Sequence, residues 1–370
     1  MSRFSDFRVE APTSTAAATL PAIDWASIGA QAPALVAVDY KGPSAPLPAA
    51  DIVMFTWTDS EWSAMDHVFL HSSTAGVNQS TTLSHQWLQY SKSAPSGSNE
   101  GGALWGYYQL VTIQGVSGPK RVLLMKSDAH LAHPPWINGL ENMVKAVAAD
   151  AQPKQIYSIG TAGGANANQC LGDVAITNGG ELKLEMKDNT PSGLSGQTFT
   201  SSWFPNVTLM PKAQSLFLPL NKVATQANLA SVLEAAKNGT HPGDKDLKPF
   251  SLSDLLNSAL DPANLGSPKA VTFKGTPLLT TDFYFIAQGN SNYAALEMDD
   301  AVIGYAAAQA HTDFVFVRNV SDTLVPAETP AGKGIPDSAR QAWSSAVYDA
   351  YGMFTSFNGA IAAWATIAGS

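Results

Sequence analysis

The sequence predicts an α/β fold with a mostly parallel central sheet, and three observations support this prediction. Short apolar runs, typical of buried strands, alternate with longer segments of helical spacing. Hydrophobic residues make up 45% of the 370 residues and charged residues only 14%, which supplies a large buried core and excludes a disordered chain. Polar residues directly follow several apolar runs, as they do at the ligand-binding edge of open α/β sheets.

Each element is predicted from its own pattern. The strands are predicted from apolar runs, and the helices from segments whose apolar residues recur every three or four positions. The predicted strands are 51–58 (DIVMFTWT), 121–125 (RVLLM), 155–159 (QIYSI), 173–177 (DVAIT) and 314–320 (FVFVRNV). The predicted helices are 61–70, 136–149, 293–311 and 338–367.

Two segments lie outside this alternation. Residues 1–50 are rich in Pro and Ala and predict an arm that lies over a surface, whereas residues 51–370 are expected to form a single domain. Residues 183–275 have many Lys, Asn, Ser and Pro and predict an insertion that covers one edge of the core. Residues 1–21 lack the apolar stretch of a signal peptide, so a cytoplasmic location is expected.

Charge and composition exclude several classes of function. The sequence has 21 Lys and Arg against 30 Asp and Glu, and its net charge of −9 leaves no basic surface for nucleic acid. No apolar run approaches the roughly 18 residues that span a bilayer, so no membrane partner is expected. The single cysteine, Cys170, excludes a disulfide framework and a zinc site of the CxxC type.

The absence of several common sequence motifs argues against further classes of enzyme. The sequence contains no GxSxG, GxxxxGK[ST] or HExxH pattern. His130 and His133 lie near Asp128, but no third or fourth ligand stands at a recognisable spacing, so no metal site is expected.

Polar side chains cluster where the apolar strands end. Because the carboxyl ends of parallel strands meet at one edge of a sheet, we expect these side chains to lie close together. They are Asp59 and Glu61; Lys126, Ser127 and Asp128; Gly160, Thr161 and Gly163; and Ser321 and Asp322. Each carboxylate taken singly is equally consistent with a helix cap or a turn, and a Ser-Asp pair after a strand is an ordinary helix start.

Three segments, in this order, resemble the purine nucleoside phosphorylase / methylthioadenosine–S-adenosylhomocysteine nucleosidase superfamily. They are 159–177 (IGTAGGANANQCLGDVAIT), 296–309 (LEMDDAVIGYAAAQ) and 314–322 (FVFVRNVSD). The resemblance covers about 51–180 and 270–370 and implies a nucleoside phosphorylase-like, three-layer α/β fold. Such a fold has a central mixed, partly barrel-like sheet flanked by helices, and the family commonly forms homo-oligomers.

The resemblance implies an N-glycosidase that hydrolyses a purine nucleoside or a nucleoside-like substrate. By the family pattern, Asp322 beside Ser321 protonates the leaving base, while Glu61 activates a water. A departing base needs such a general acid because negative charge develops on it as the glycosidic bond breaks. To be protonated near neutral pH, Asp322 needs a dry site or a second carboxylate nearby. No cofactor is needed for this reaction.

The resemblance also assigns the substrate-binding residues. Glu297, Met298 and Asp299 match the sugar-binding segment, in which Asp299 replaces a longer glutamate and so departs from the usual grip on ribose hydroxyls. Either Phe283 or Tyr284 takes the position of the aromatic ring that stacks on the base. Gly160 and Thr161 line the nucleophile side.

Hydrolysis and phosphorolysis differ in the need to hold phosphate. Family phosphorylases supply arginines near the first strand loop and before the glycine segment, where this sequence has none, and Glu61 would repel a phosphate dianion. Arg318 lies within a predicted strand and is interpreted as structural. Lys126 and Ser127 support an alternative, in which Lys126 and Thr161 bind phosphate in a phosphorylase. A second alternative is a non-catalytic ligand-binding or storage protein with the same fold.

Overall fold

The computed structural model describes residues 20–72, 87–95, 103–131, 133–240, 243–283 and 290–370. The strands are β1 (Ala34–Leu35), β2 (Ile52–Thr56), β3 (Leu88–Tyr90), β4 (Gly106–Gly115), β5 (Gly118–Ser127), β6 (Gln155–Gly163), β7 (Val174–Thr177), β8 (Gly179–Lys183), β9 (Thr198–Thr200), β10 (Ala270–Thr272), β11 (Leu278–Thr281), β12 (Leu296–Glu297) and β13 (Asp313–Asp322). The α-helices are α1 (Asp59–Leu70), α2 (Trp136–Ala151), α3 (Met210–Ala213), α4 (Gln226–Lys237), α5 (Leu252–Leu255), α6 (Asp300–Gln309) and α7 (Asp337–Ala368).

The sheet is mixed and partly closes on itself. Strand β2 runs parallel to both β5 and β6, and β6 runs parallel to β13, whereas β4 is antiparallel to β5. A ring of pairings runs from β6 to β13 and β7, continues from β8 to β11 and β12, and returns to β6. Only Asn178 separates β7 from β8, so these two strands link the halves of the ring. The mixed, partly barrel-like sheet predicted above is therefore present.

Helices cover both faces of this sheet, as the side chains of β2 show. Ile52 and Met54 point into a core formed with α1 and α7. Val53 and Phe55 point into a second core formed with α2 and α6. Because successive side chains of a strand alternate between its faces, the uninterrupted apolar run of β2 requires cover on both sides.

Two predicted elements have different bounds in the structure. The strand predicted to end at residue 159 continues to Gly163, so Gly160, Thr161 and Gly163, which were expected to follow the strand, belong to β6. The helix predicted for 293–311 begins only at Asp300, after the short strand β12. Glu297 accounts for this later start, since its carboxylate caps the first turn of α6.

Residues 20–50 reach into the core as well as over the surface. Leu20 and Trp25 are buried, and the Trp25 ring lies 4.5 Å from that of Trp364 in α7. The residues between β8 and β10 form short helices, of which α4 packs on α7. Within the described ranges, no helix has both the length and the apolar character to cross a membrane.

Candidate active site

Glu61 lies in the first turn of α1, with its carboxylate enclosed by the chain. Its Oε2 accepts hydrogen bonds from the backbone N–H of Thr58 at 3.0 Å and of Trp57 at 2.9 Å, and from the Thr56 hydroxyl at 3.1 Å. Its Oε1 accepts from the backbone N–H and the hydroxyl of Thr161 at 2.7 and 2.6 Å. A carboxylate offers about four lone-pair positions, so these five donors saturate both oxygens. Any proton that reaches Glu61 must therefore pass through a group that already bonds it.

Thr161 connects Glu61 to the sheet through two hydrogen bonds. It lies in β6, paired with Asn319 of β13, and its hydroxyl donates to Glu61 while keeping its own lone pairs. The preceding residue must be glycine, because a Cβ on Gly160 would lie 2.6 Å from both Glu61 Oε1 and Arg318 Nη1. The absence of a side chain at Gly160 therefore allows the Glu61 carboxylate and the Arg318 guanidinium to approach β6 closely.

Arg318, interpreted above as structural, lies next to Glu61 and Thr161 and bonds groups of the chain itself. Its Nε donates to Asp300 Oδ2 at 2.8 Å, and its Nη2 bonds both Asp300 Oδ1 and the Ser158 hydroxyl. Its Nη1 donates to the carbonyl of Thr161 at 3.3 Å, and the guanidinium carbon lies 5.2 Å from the centre of the Trp57 ring. Arg318 is thus a buried cation in a bidentate pair with Asp300.

Glu297, assigned above to sugar binding, is engaged by its own chain. Its Oε2 accepts from the backbone N–H groups of Asp299 at 2.5 Å and Asp300 at 2.9 Å, which caps α6. Its Oε1 accepts from the Thr280 hydroxyl, and Arg318 Nη2 lies 3.4 Å from Oε2. Its contacts are those of a helix cap that also helps to balance the charge of Arg318.

Asp299 is held in the same way by the segment that follows β5. Its Oδ1 accepts from the backbone N–H of Leu131 at 3.0 Å, and His130 Nε2 lies 3.2 Å from its Oδ2. Both side chains of the His130–Asp299 pair are buried, while Met298 between the two acids is half-buried. The carboxylate that the sequence assigns to the sugar thus has protein partners on both oxygens.

Asp322 is the last residue of β13, the strand that pairs with β6. After a β-bulge it pairs with Gly163, two residues beyond Thr161 in β6, which corresponds to about 7 Å along the strand. The Ser321 hydroxyl donates to its Oδ1 and the Ser344 hydroxyl, from α7, to its Oδ2, both at 2.8 Å. Asp322 is partly exposed, whereas Glu61 is buried. The structure therefore brings the two predicted catalytic carboxylates to one strand end.

Lys126 and Ser127 are each engaged locally. The Lys126 ammonium forms an ion pair with Asp128, and it lies 5.8 Å from the centre of the Trp62 ring. The Ser127 hydroxyl donates to the carbonyl of Ala129 at 2.7 Å and accepts from its N–H at 3.1 Å, closing a tight turn. Neither side chain contacts Glu61 or Asp322 among the hydrogen bonds and ion pairs of the described residues.

Of the two aromatic residues predicted to stack on the base, the structure describes Phe283. Phe283 is half-buried, and the Lys183 ammonium lies 5.4 Å from the centre of its ring. Tyr284, the other residue predicted for this role, lies outside the described residues. The neighbouring Asp282 is buried and accepts from the backbone N–H groups of Glu185 and Met186, which fixes the end of β11.

Burial sets the electrostatics of the acidic cluster around Arg318. It raises the pKa of Glu297 to about 7, with the charge of Asp300 as the next cause. Burial, followed by the charge of Glu297, raises the pKa of Asp299 well above its ordinary value, and burial also raises that of Asp300. Burial lowers the pKa of His130 well below its usual range. Near neutral pH Glu297 is therefore partly protonated, which reduces the negative charge next to Arg318.

Reasoning from the sequence gave no role in the site to Ser158, Asp300, Arg318 and Ser344. Two of them have a local signal, since Asp300 directly follows the sugar-binding segment and Arg318 lies four residues before Asp322 in the same strand. The residues of α7 have none, because their spacing is that of an ordinary helix. In the described part of the chain, no three His, Cys, Asp or Glu side chains are grouped so that they could hold a metal ion.

No known family model matches the sequence, and no curated protein matches it. Solved structures that match this chain include a 5′-methylthioadenosine/S-adenosylhomocysteine nucleosidase from Neisseria meningitidis, 13% identical, with 86% of this chain and 99% of that chain covered and a TM-score of 0.44. An S-adenosylhomocysteine nucleosidase from Streptococcus pyogenes is 12% identical, with 87% and 98% covered and a TM-score of 0.44. The futalosine hydrolase of Helicobacter pylori is 9% identical, with 85% and 96% covered and a TM-score of 0.44.

Proposed function

We propose that this protein is an N-glycosidase that hydrolyses the glycosidic bond of a purine nucleoside or a nucleoside-like substrate. The observation that supports the proposal most directly is the placement of two carboxylates at the end of one strand. Glu61 is bonded to Thr161, and Asp322 is paired with Gly163, two residues further along β6. Two carboxyl groups that flank the scissile bond, one as base and one as acid, are what hydrolysis of a glycoside requires.

On the leaving-group side, Asp322 is the proton donor. The developing negative charge on the departing base is neutralised when the carboxylic acid transfers its proton to a ring nitrogen. Ser321 and Ser344 hold the two oxygens of Asp322 and so fix the plane of the carboxyl group. Asp322 is partly exposed, so the dry surroundings that its protonation needs form only when a bound base covers it.

On the nucleophile side, Thr161 links the water to Glu61. The attacking water gives one proton to Thr161 Oγ1, and the Thr161 hydroxyl proton passes to Glu61 Oε1, to which it is already bonded. The water oxygen bonds to the anomeric carbon as the bond from that carbon to the base breaks. The base leaves with the proton of Asp322, and exchange with solvent restores both carboxyl groups.

Charge favours water over phosphate as the nucleophile. The two cations that the sequence places at this edge, Arg318 and Lys126, are held by Asp300 and Asp128. Glu61 lies on the nucleophile side, and a buried carboxylate there repels a phosphate dianion by several kcal/mol, on the order of 4 kcal/mol per unit charge pair at 4 Å. Phosphorolysis would therefore require breaking an ion pair before phosphate could bind.

The decisive experiment follows the fate of the sugar. Purine nucleosides and related glycosides are screened for base release in phosphate-free buffer and again with phosphate. We expect free sugar without phosphate, with ¹⁸O from labelled water in its anomeric hydroxyl group. Formation of a sugar 1-phosphate, and only when phosphate is present, would support the phosphorylase alternative.

Asp322→Asn separates catalysis from binding. We expect the variant to bind substrate and to lose about 100-fold or more in kcat, because it cannot donate the proton. Asp313→Asn, at the other end of the same strand, is the matched control and stays within about 2-fold of the parent. Full activity in the Asp322 variant would contradict the assignment. Binding without turnover in the parent protein would support the non-catalytic alternative.

A further inference from the structure

Helix α7 passes over both ends of the candidate active site. Ser344 donates to Asp322, and Tyr348 follows four residues later on the same face of the helix. One turn further, a Cβ added to Gly352 would lie 3.2 Å from the Tyr348 ring and 3.6 Å from the Ser60 hydroxyl of α1. The Tyr348 side chain therefore lies against the first turn of α1, which carries Glu61.

The Tyr348 hydroxyl is buried at this position. Within the residues that the structure describes, it completes no hydrogen bond of normal length and angle. Its neighbours are Thr58, Thr161 and Glu61: burial, followed by the charge of Glu61, raises the Tyr348 pKa, and the two threonine side chains lower it. Because this hydroxyl lies beside both Glu61 and Thr161, the two groups of the proposed proton relay, it is placed where it can bond the attacking water.

We propose that the Tyr348 hydroxyl is a further catalytic group, which holds the attacking water together with Thr161. This inference rests on the hydrolytic function proposed above. The phenol donates its hydrogen to one lone pair of the water, and Thr161 accepts one of the water hydrogens. The second lone pair then faces the anomeric carbon. Tyr348 keeps its own proton throughout, since the proton that the water loses passes through Thr161 to Glu61.

The segment between β8 and β10 gives this tyrosine a fixed position. Leu229 and Leu233 of α4 pack against α7 in a cluster that includes Trp343, Val347 and Tyr351. The next turns of α7 are buried against the sheet. Because α7 is clamped along its length, Ser344 and Tyr348 keep their spacing, and one helix positions both the acid and the water.

The test compares Tyr348→Phe with Tyr351→Phe. Tyr351 lies on the same helix, is buried, and also has a hydroxyl without a hydrogen-bond partner in the described residues, so it is a matched control. We expect Tyr348→Phe to lower kcat about 10- to 100-fold and to leave KM within about 2-fold. Tyr351→Phe should leave both within about 2-fold. Both variants should unfold at about the same temperature as the parent, since neither hydroxyl completes a hydrogen bond with another described residue.

Two further measurements separate this proposal from a structural role and from the function on which it rests. If Tyr348 holds the water, methanol added to the assay will compete better in Tyr348→Phe, and the ratio of methyl glycoside to free sugar will rise. Equal kinetics in the two variants would overturn the proposal, as would a lowered melting temperature confined to Tyr348→Phe. If the parent protein cleaves no nucleoside, the proposed function fails, and the inference about Tyr348 needs a test of its own. A crystal structure then decides whether a water bonds both Tyr348 Oη and Thr161 Oγ1. A site without that water overturns the inference.

Discussion

The close approach at Gly160 predicts that Gly160→Ala strongly reduces activity. The added Cβ would lie 2.6 Å from both Glu61 Oε1 and Arg318 Nη1. Ordinary contacts begin at 3.4 Å, so each group must retreat by about 0.8 Å. Neither group is free to do so, because Glu61 accepts five hydrogen bonds and Arg318 forms a bidentate pair with Asp300.

The magnitude follows from the bonds that such a shift would lengthen. Moving Glu61 Oε1 by about 0.8 Å stretches its 2.6 Å bond from the Thr161 hydroxyl to near the limit for a hydrogen bond. Misplacement of a catalytic group by about 1 Å costs roughly 100-fold in rate, and overpacking of a buried site costs about 1–3 kcal/mol of stability. We therefore expect kcat to fall about 100-fold and the urea midpoint to decrease.

Gly164→Ala is the control for this experiment. A Cβ there has its nearest neighbours at 3.7 Å, an ordinary contact, although the residue follows the same strand. Steady-state base release and urea unfolding are measured for both variants under the same conditions. If Gly160→Ala retained the kcat of Gly164→Ala, the tight contact between strand, carboxylate and guanidinium would not be needed for catalysis, and the reasoning would be refuted.

The remaining predictions concern the proton relay and the acidic cluster. Thr161→Val removes the hydroxyl between water and Glu61 and should lower kcat about 100-fold, whereas Thr161→Ser should stay within about 10-fold in the same base-release assay. Because the pKa of Glu297 is raised from 4.5 to about 7, the native state binds more protons than the unfolded state between these pH values. The free energy of unfolding should therefore fall as pH rises through this interval, and Glu297→Gln should flatten that dependence in urea titrations, while Glu234→Gln on exposed α4 should not. An unchanged slope in Glu297→Gln would contradict the assigned pKa.

Local pattern was enough to predict the sheet and its edge. The apolar runs that became β2, β5, β6, β7 and β13 were recognisable because strands buried on both faces need uninterrupted apolar residues. The start of α6 was not recognisable, since the Ala-rich segment before it has helical composition and only the cap by Glu297 sets the boundary. Residues 20–50 likewise look like a surface arm in the sequence, yet the buried Trp25 ring packs against Trp364 at an angle of 53°.

The roles of the site residues were less predictable than their positions. Asp299 was assigned to the sugar, but its carboxylate bonds Leu131, which is 168 positions away in the chain. Arg318 was interpreted as structural, and only the fold shows that its partners are Asp300 and Thr161. In both cases the sequence motif shows which residue is present, while the partner comes from another element of the fold.

The sequence by itself determined the α/β alternation and the sheet edge near which Glu61, Thr161 and Asp322 lie. These follow from local composition and from the rule that parallel strands present their carboxyl ends at one edge. Only the tertiary structure decided which charges neutralise one another and that α7 brings Tyr348 to Glu61. Such contacts join residues far apart in the chain, and the balance of buried charges depends on distances that packing alone fixes.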